Sequence, residues 1–345
     1  MRLNIADSVT VITGASSGIG RATAMKLAEQ HGTVVLAARQ ADVLHEVARE
    51  CEQIGGRALA VRTDVTDEEQ VKQLARRAVE TYGRIDAWVN DAAVTMLSRF
   101  EDAPADAFRR VMETNFFGYV YGARAVLPYF RKQGHGVLIN VASVEGKVAA
   151  PYASAYVASK FAVTGFSESL RMELRDEPDI RVCMILPATI DTPLFQHAAN
   201  YSGKAVQAMP PVYAPEEVAE AILETIRHPK REVTVGNAGR MIAMRTFVPP
   251  LAERIVARKV ERRHFQDKPD RNSPGNLFEP MPEFDTVHGG WLEPYRQIRR
   301  RKTAWTAGFV ALLAGLGTAL YLSASKRPTP RIANKPERNS QPDQS

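Results

Sequence analysis

The chain has 345 residues, of which 45% are hydrophobic and two are cysteines, and its net charge at pH 7 is +6. A chain of this length can bury a large core, and Cys51 and Cys183 offer neither a disulfide framework nor metal-ligand spacing, so no metal site is expected and a reducing compartment fits. Residues 1–227 have a net charge of −4, so the positive excess lies in the C-terminal third and a nucleic-acid-binding globular face is not favoured.

The chain begins with a predicted strand, a glycine-rich turn and a helix. Residues 9–13 form a β-branched run, and residues 21–30 have helical periodicity. Glycines let a backbone approach a pyrophosphate, and a helix N-terminus offers free N–H groups. The spacing Gly-x-x-x-Gly-x-Gly resembles that of the short-chain dehydrogenase/reductase family, which implies a cofactor-binding turn made of Thr13, Gly14, Ser16, Ser17, Gly18, Ile19 and Gly20.

The second predicted strand, residues 33–39, ends where dinucleotide-binding folds choose between NAD and NADP. An acidic residue there would accept the ribose hydroxyls of NAD, whereas an arginine would pair with the 2′-phosphate of NADP. Ala38 and Arg39 supply no acid and one guanidinium. The expected cofactor is therefore NADP (NADPH), with NAD less favoured; the alternative is that Arg39 is a solvated loop residue.

Helical and strand patterns continue to alternate up to about residue 235. This alternation predicts an α/β fold, a Rossmann-like doubly wound parallel sheet of about seven strands with helices on both faces. The family resemblance covers roughly residues 5–240. It implies that Asp64 lies by the adenine ring and that Val65 belongs to the cofactor-binding residues. Asn90 matches the family's Asn-Asn-Ala-Gly segment, whereas Asp91 and Ala93 depart from it.

Asn115 lies inside a long helical pattern, residues 106–130. Asparagine is a mediocre helix former, so a buried one in mid-helix suggests a local kink or a held water. The family resemblance assigns to this position a water in the proton relay. Without it, a satisfied polar residue is an equal alternative.

Ser143 ends an apolar strand, residues 136–143, at the edge where doubly wound sheets bind their ligands. Thirteen residues later, Tyr156 and Lys160 are four positions apart on the next predicted helix, hence on one face. A lysine charge could lower the pKa of the phenol and make it an acid-base catalyst. The alternative, two surface residues on an ordinary helix, is disfavoured by the glycine turn and Ser143 upstream.

The segment 187–193 resembles the family's Pro-Gly-x-x-x-Thr motif, with Ala188 in place of glycine. The resemblance implies that Pro187 and Thr189 border the cofactor and that Thr192 contacts the nicotinamide carboxamide. The loop 194–215 would cover the substrate. Its aromatic and methionine side chains favour a lipophilic substrate, although such residues equally often pack a loop onto the core.

The C-terminal third exceeds the family's core. We expect a catalytic domain over residues 1–240, a basic amphipathic and Pro-rich extension or tether over 241–302, a transmembrane helix over 303–325 and a disordered polar tail over 326–345. The extension could lie on anionic lipid or complete the core. These expectations imply a single-pass membrane protein with membrane lipid as a partner and its catalytic domain on the cytoplasmic side, since no signal peptide begins the chain.

The resemblance implies an NADP(H)-dependent oxidoreductase that interconverts an alcohol and a ketone or aldehyde. Tyr156 would be the acid-base catalyst, Ser143 would hold the carbonyl oxygen, Lys160 would activate the phenol, and Asn115 would hold a water. The family often forms homo-oligomers. The alternatives are a non-catalytic NADP-binding sensor or scaffold at a membrane and an epimerase or dehydratase of a related extended fold, which the glycine spacing disfavours.

Overall fold

The computed structural model describes residues 3–281 and 283–293. Strands and helices alternate in the first part of the chain: β1 Val9–Thr13, α1 Gly18–Glu29, β2 Thr33–Ala38, α2 Ala41–Gln53, β3 Arg57–Arg62, α3 Glu68–Tyr82, β4 Ala87–Asn90, β5 Met96–Leu97, α4 Ala105–Met112, α5 Gly118–Gln133 and β6 Gly136–Val141. They are followed by α6 Ser154–Glu173, β7 Ile180–Pro187, β8 Ala199–Asn200, β9 Lys204–Val206, α7 Pro215–Arg227, β10 Glu232–Val235, α8 Ala238–Phe247, α9 Pro249–Arg263 and β11 Phe265–Pro269.

The main sheet has seven strands in the order β10-β7-β6-β4-β1-β2-β3. All neighbouring pairs are parallel. β1 lies between β2 and β4, so the chain winds in opposite directions on its two sides. A doubly wound sheet binds its ligand at such a reversal, beyond the carboxyl ends of its strands. The expected Rossmann-like parallel sheet is confirmed.

Successive residues of β1 pack on opposite faces of the sheet, as the alternation of side chains along a strand requires. Val11 and Ile12 are both fully buried, but they belong to different apolar clusters. Ile12 packs with Leu27 of α1 and Ile222 of α7, and Val11 packs in the cluster of α3 and α5. Helices therefore cover both faces and leave the carboxyl edge of the sheet for the site.

The chain beyond the sheet folds back onto this carboxyl edge. Phe265 of β11 pairs with Val206 of β9 in an antiparallel ladder. Val256 and Val260 of α9 are buried in a cluster with Val148, which follows β6. Residues 238–269 therefore pack against the loops that carry the site, while the expected domain boundaries at 240 and 302 stay predictions.

The expected transmembrane helix is contradicted. No helix within residues 3–281 and 283–293 is long and apolar enough to cross a membrane. The longest helix in that part, α6, has 20 residues but carries charged side chains such as Lys160 and Glu168, which a spanning helix would not place in lipid. This finding overturns the membrane anchor and the single-pass membrane location with a cytoplasmic catalytic domain. The segments 303–325 and 326–345, to which the anchor and the tail were assigned from uncharged length and composition alone, lie outside the described residues.

Candidate active site

A cavity of about 260 Å³ opens at the carboxyl edge of the sheet. It gathers side chains from the turn after β1, the ends of β2, β4 and β6, the start of α6 and the loop after β7. Most of the predicted site residues line it, namely Gly14, Ser16, Ser17, Gly18, Ile19, Arg39, Asp64, Val65, Ser143, Tyr156, Lys160, Pro187, Thr189 and Thr192. The other four, Thr13, Gly20, Asn90 and Asn115, lie behind its wall and support it.

The glycine turn has the close approaches that a dinucleotide cradle needs. Gly14 and Gly18 have φ angles of +75° and +53°, which glycine adopts without strain. A Cβ added to Gly20 would lie 2.3 Å from the carbonyl oxygen of Gly14. Ser17 precedes the first turn of α1 in an extended conformation and makes no side-chain cap. The turn therefore presents backbone N–H groups at a helix N-terminus, which fits the pyrophosphate of a dinucleotide.

Thr13 and Asn90 hold the two loops behind this turn. The Thr13 hydroxyl accepts hydrogen bonds from the N–H groups of Asp91 and Ala92, at 3.1 and 3.3 Å. The Asn90 side chain accepts from the indole of Trp88 at 2.8 Å and donates to Asn140 at 2.9 Å. These buried amides fix the ends of neighbouring strands relative to each other.

Ser143, Tyr156 and Lys160 come together on one side of the cavity. The Ser143 hydroxyl lies close enough to the Tyr156 phenol to lower its pKa, and it accepts the N–H of Glu145 at 3.1 Å. Lys160 Nζ lies 5.6 Å from the centroid of the Tyr156 ring and donates to the carbonyl of Val141 at 2.9 Å. A phenol, a hydroxyl and an ammonium group thus lie at one end of the cavity. These groups together can transfer a proton to a carbonyl oxygen.

Two carboxyl groups also lie beside Lys160. Burial raises the pKa of Asp91 to about 7, against the opposing effects of the Lys160 charge and a hydrogen bond from the Gly20 N–H. Burial likewise raises the pKa of Glu145 to about 7. Burial lowers the pKa of Lys160 to about 8, and the two carboxylates oppose this effect. The lysine therefore keeps its charge at neutral pH because acidic neighbours offset part of its desolvation.

The pKa of Tyr156 lies above its usual value. Burial is the main cause, and the Glu145 and Asp91 carboxylates add to it, while the hydrogen bond from Ser143 acts in the opposite direction. The phenol is therefore protonated at neutral pH, the state a general acid requires. That Lys160 activates it stays a prediction.

Asn115 lies in a π-helical turn, Glu113–Phe117, between α4 and α5. Its side chain accepts the N–H of Val94 at 2.8 Å and donates to the Val94 carbonyl at 2.9 Å and to the Ser159 hydroxyl at 3.1 Å. The turn interrupts the long helix that the sequence predicts, in line with the expected kink. The amide joins the loop after β4 to the helix that carries Tyr156.

At the other end of the cavity, charged residues surround the place expected for adenosine. Burial by itself would raise the pKa of Asp64, but hydrogen bonds from Thr66 and the Arg110 charge outweigh it and lower that pKa. Arg110 donates to Asp64 at 2.9 Å. The Arg39 guanidinium donates to three backbone carbonyls of residues 276–278.

The third part of the cavity is mostly apolar and lies towards α8 and α9. Ala188 has no positive φ, so it replaces the family's glycine without strain. The polar residues there include His264, whose pKa is lowered by burial, and Lys259, whose pKa is lowered by burial and by Arg263. The apolar lining includes Leu97, Val148, Leu194, Phe195, Met209, Met241 and Val256.

Several residues that line the cavity were not predicted from the sequence. Glu145 lies two positions after Ser143, and that adjacency is a signal that could have found it. Arg110 reaches the cavity from α4, and Asn276 and Asp285 come from a segment far along the chain. No local pattern points to these three, because their partners are distant in sequence.

The chain matches the family described as short chain dehydrogenase over residues 8–202. Among curated relatives, the uncharacterized oxidoreductase YxnA of Bacillus subtilis (strain 168) is 40% identical over 267 residues, which cover 76% of this chain and 75% of the relative. Dehydrogenase/reductase SDR family member 7B of Bos taurus is 32% identical over 276 residues, which cover 76% of this chain and 84% of the relative.

Two solved structures are similar in fold. One is a short chain dehydrogenase/reductase from Burkholderia phymatum in complex with NAD, with a TM-score of 0.66, 26% identity and coverage of 73% of this chain and 97% of that one. The other is an alcohol dehydrogenase from the archaeon Thermococcus sibiricus complexed with 5-hydroxy-NADP, with a TM-score of 0.59, 27% identity and coverage of 66% and 95%.

Proposed function

Because the chain belongs to the short-chain dehydrogenase family and is an oxidoreductase of that type, we propose that it interconverts an alcohol and a ketone or aldehyde with NADP(H), using Tyr156 as general acid and base. The observation that carries this proposal is that Ser143, Tyr156 and Lys160 line one cavity, with Lys160 Nζ 5.6 Å from the centroid of the Tyr156 ring. A module that only bound nucleotide would have no need for this set of groups.

When bound, the nicotinamide supplies or accepts the hydride. Ser143 and Tyr156 would hold the carbonyl oxygen between their hydroxyl groups. Tyr156 would give its proton to that oxygen in reduction and take it back in oxidation. The Lys160 charge would favour the phenolate that is left and would bind the nicotinamide ribose. Asn115 would hold the water that returns a proton.

The preference for NADP(H) rests on Arg39 and on the absence of an acid at Ala38. Arg39 lines the cavity at its charged end, near Arg110. The similar structures contain an NADP analogue in one case and NAD in the other, so the choice depends on this chain's own residues. Arg39→Asp is expected to shift the ratio of kcat/KM values towards NADH; an unchanged ratio would remove the argument for NADP.

A lipophilic carbonyl compound is the proposed substrate. Apolar side chains such as Leu194, Met209 and Val256 line the third part of the cavity, and α8 and α9 border it. Apolar walls favour a substrate with little polar surface beyond its reacting group. A series of ketones or aldehydes of increasing chain length should show kcat/KM rising with apolar size; a preference for small polar carbonyls would refute this.

A homo-oligomer is also proposed. The helical segments that carry Asn115 and Tyr156 also carry Phe117 and Phe161, which are 43% and 38% exposed. A second copy packed there would cover these rings. Sedimentation should give a species larger than a monomer, and Phe161→Glu should reduce it; a monomeric wild-type protein would refute the proposal.

The central test is oxidation of NADPH by the full chain in the presence of a panel of ketones and aldehydes. Tyr156→Phe should abolish turnover and leave NADPH affinity nearly unchanged, because the ring is kept and only the proton donor is lost. Retained turnover in this variant would refute the assignment. Nucleotide affinity with no oxidation in the wild-type chain would favour the non-catalytic sensor.

A further inference from the structure

Residues 276–281 and 283–291, here called the strap, lie along the cofactor cleft. At the charged end, the Arg39 guanidinium donates to the carbonyls of Asn276 and Phe278 at 2.6 and 3.2 Å. Arg110 donates to the carbonyl of Leu277 at 2.9 Å. The strap begins, therefore, where the adenosine of a dinucleotide is expected.

The strap next crosses the glycine turn. The carbonyl of Thr286 accepts the N–H of Gly18, the first residue of α1, at 2.9 Å. Arg21, which is nine-tenths buried, donates to the carbonyl of Asp285 at 2.7 Å. These contacts lie at the helix N-terminus that fits a pyrophosphate.

The strap ends at the loop after β7. The N–H of Trp291 donates to the Asp191 carboxylate at 2.6 Å, and its indole donates to the carbonyl of Thr192 at 3.2 Å. Thr192 is the residue expected to contact the nicotinamide. The strap therefore passes, in order, the places expected for the adenosine, the pyrophosphate and the nicotinamide.

Buried acceptors without partners supply a separate observation. In the described part of the chain, five buried side-chain atoms have no hydrogen-bond partner. Three of them are acceptors in residues that line this cavity: Gln40 Oε1, Asn276 Oδ1 and Asp285 Oδ2. Buried acceptors are rarely left unpaired, so their grouping in one cavity indicates a ligand that brings donors. Ribose hydroxyls and the adenine amino group are such donors.

We propose that the strap is the outer wall of the cofactor site and that Asn276 binds the adenosine half of the dinucleotide through Oδ1. The inference rests on the proposed function, since it needs a dinucleotide in the cleft. Gln40 faces the same half from the body of the fold. The strap carbonyls contact Arg39 and the N–H of Gly18, which are the donors expected to meet the phosphates of the dinucleotide. The strap must therefore move away from these donors for the dinucleotide to enter, and it then covers the bound dinucleotide from the outer side.

The test is the affinity of the full chain for NADPH and NADH, measured by fluorescence or calorimetry. Asn276→Ala should weaken both about five-fold, the value of one hydrogen bond. Asn276→Asp should weaken NADPH more than NADH, because a new carboxylate beside Arg39 would repel the 2′-phosphate. Asn272→Asp is the matched control, since it makes the same change at an exposed position of the preceding segment, and it should change neither affinity by more than two-fold.

Gln40→Ala repeats the test from the opposite wall, in case a change in the strap disturbs folding. Hydrogen exchange adds a readout that needs no variant: amides of residues 276–291 should exchange more slowly with NADPH bound. This inference alone is overturned if the variants at positions 40 and 276 bind the nucleotides as tightly as the wild-type chain does. It is also overturned if NADPH does not change hydrogen exchange in the strap. A wild-type chain that binds neither nucleotide overturns the proposed function and this inference with it.

Discussion

Glu145→Gln should stabilise the fold at alkaline pH and much less at acidic pH. Burial raises the pKa of Glu145 from its usual 4.5 to about 7 in the folded chain. The unfolded chain therefore releases this proton at a lower pH than the folded chain does. The Glu145 carboxyl therefore does not reduce the free energy of unfolding below pH 4.5. It reduces that free energy increasingly as the pH rises towards 7, and by the full amount above pH 7.

The difference between these two pKa values corresponds to about 3 kcal/mol. Glutamine keeps the shape and cannot ionise, so the free energy of unfolding should rise by about 3 kcal/mol at pH 8 and by about 1 kcal/mol at pH 5. These are upper values, because Lys160 loses one of its two acidic neighbours.

Urea unfolding of the full chain, followed by circular dichroism at pH 5 and pH 8, measures both values. Glu80→Gln is the control, since Glu80 is exposed on α3, and it should change stability little at either pH. An equal gain at both pH values, or no gain at pH 8, would refute the reasoning, because the whole effect comes from ionisation in the folded state.

Two further predictions concern packing and pH dependence. Gly122→Ala should destabilise the fold by about 2 kcal/mol in urea unfolding, because its Cβ would lie 2.4 Å from Asn90 Oδ1. Gly165→Ala, on α6 with no atom within 4 Å of the new methyl group, should instead stabilise it by about 0.5–1 kcal/mol; the same sign in both variants would contradict this. Asp91→Asn should lower the pKa of Lys160 further, because it removes a carboxylate that raises it. In the wild-type chain we expect kcat/KM to fall above about pH 8, where Lys160 loses its charge. In the variant this fall should begin at a lower pH, and an unchanged pH profile of kcat/KM would show that the charge of Lys160 does not control turnover.

The sheet and the centre of the site could be predicted because they depend on local patterns. The glycine turn lies between a strand and a helix that are adjacent in sequence, and parallel strands bring their carboxyl ends to one edge. Tyr156 and Lys160 are one helical turn apart, and Ser143 lies two residues after the end of the preceding strand. Short-range spacing therefore places all three at the same edge.

The strap could not be predicted, because its partners are distant in sequence. Arg39 and Asn276 are 237 positions apart. The Pro-rich composition predicts a chain without regular structure, but it does not determine where that chain lies. An extended segment leaves backbone carbonyls unpaired, and Arg39, Arg110 and the N–H of Gly18 satisfy four of them. The transmembrane prediction likewise used only the composition of a stretch of sequence. Composition carries no information about which other residues that stretch contacts.

Asp91 connects the two halves of the site through charge. Its carboxylate lies beside Gly20 in the glycine turn, 3.0 Å from where a Cβ of that residue would be, and it raises the pKa of Lys160. The family's usual asparagine at this position could lie in the same place, but it could not offset the desolvation of a buried ammonium. Because Lys160 has a pKa of only about 8 with both acidic neighbours in place, a neutral residue at position 91 would leave Glu145 alone to maintain its charge. The departure from the family pattern at Asp91 therefore has a physical consequence: it raises the pKa of the lysine next to the phenol, from a position beside the turn expected to hold the cofactor.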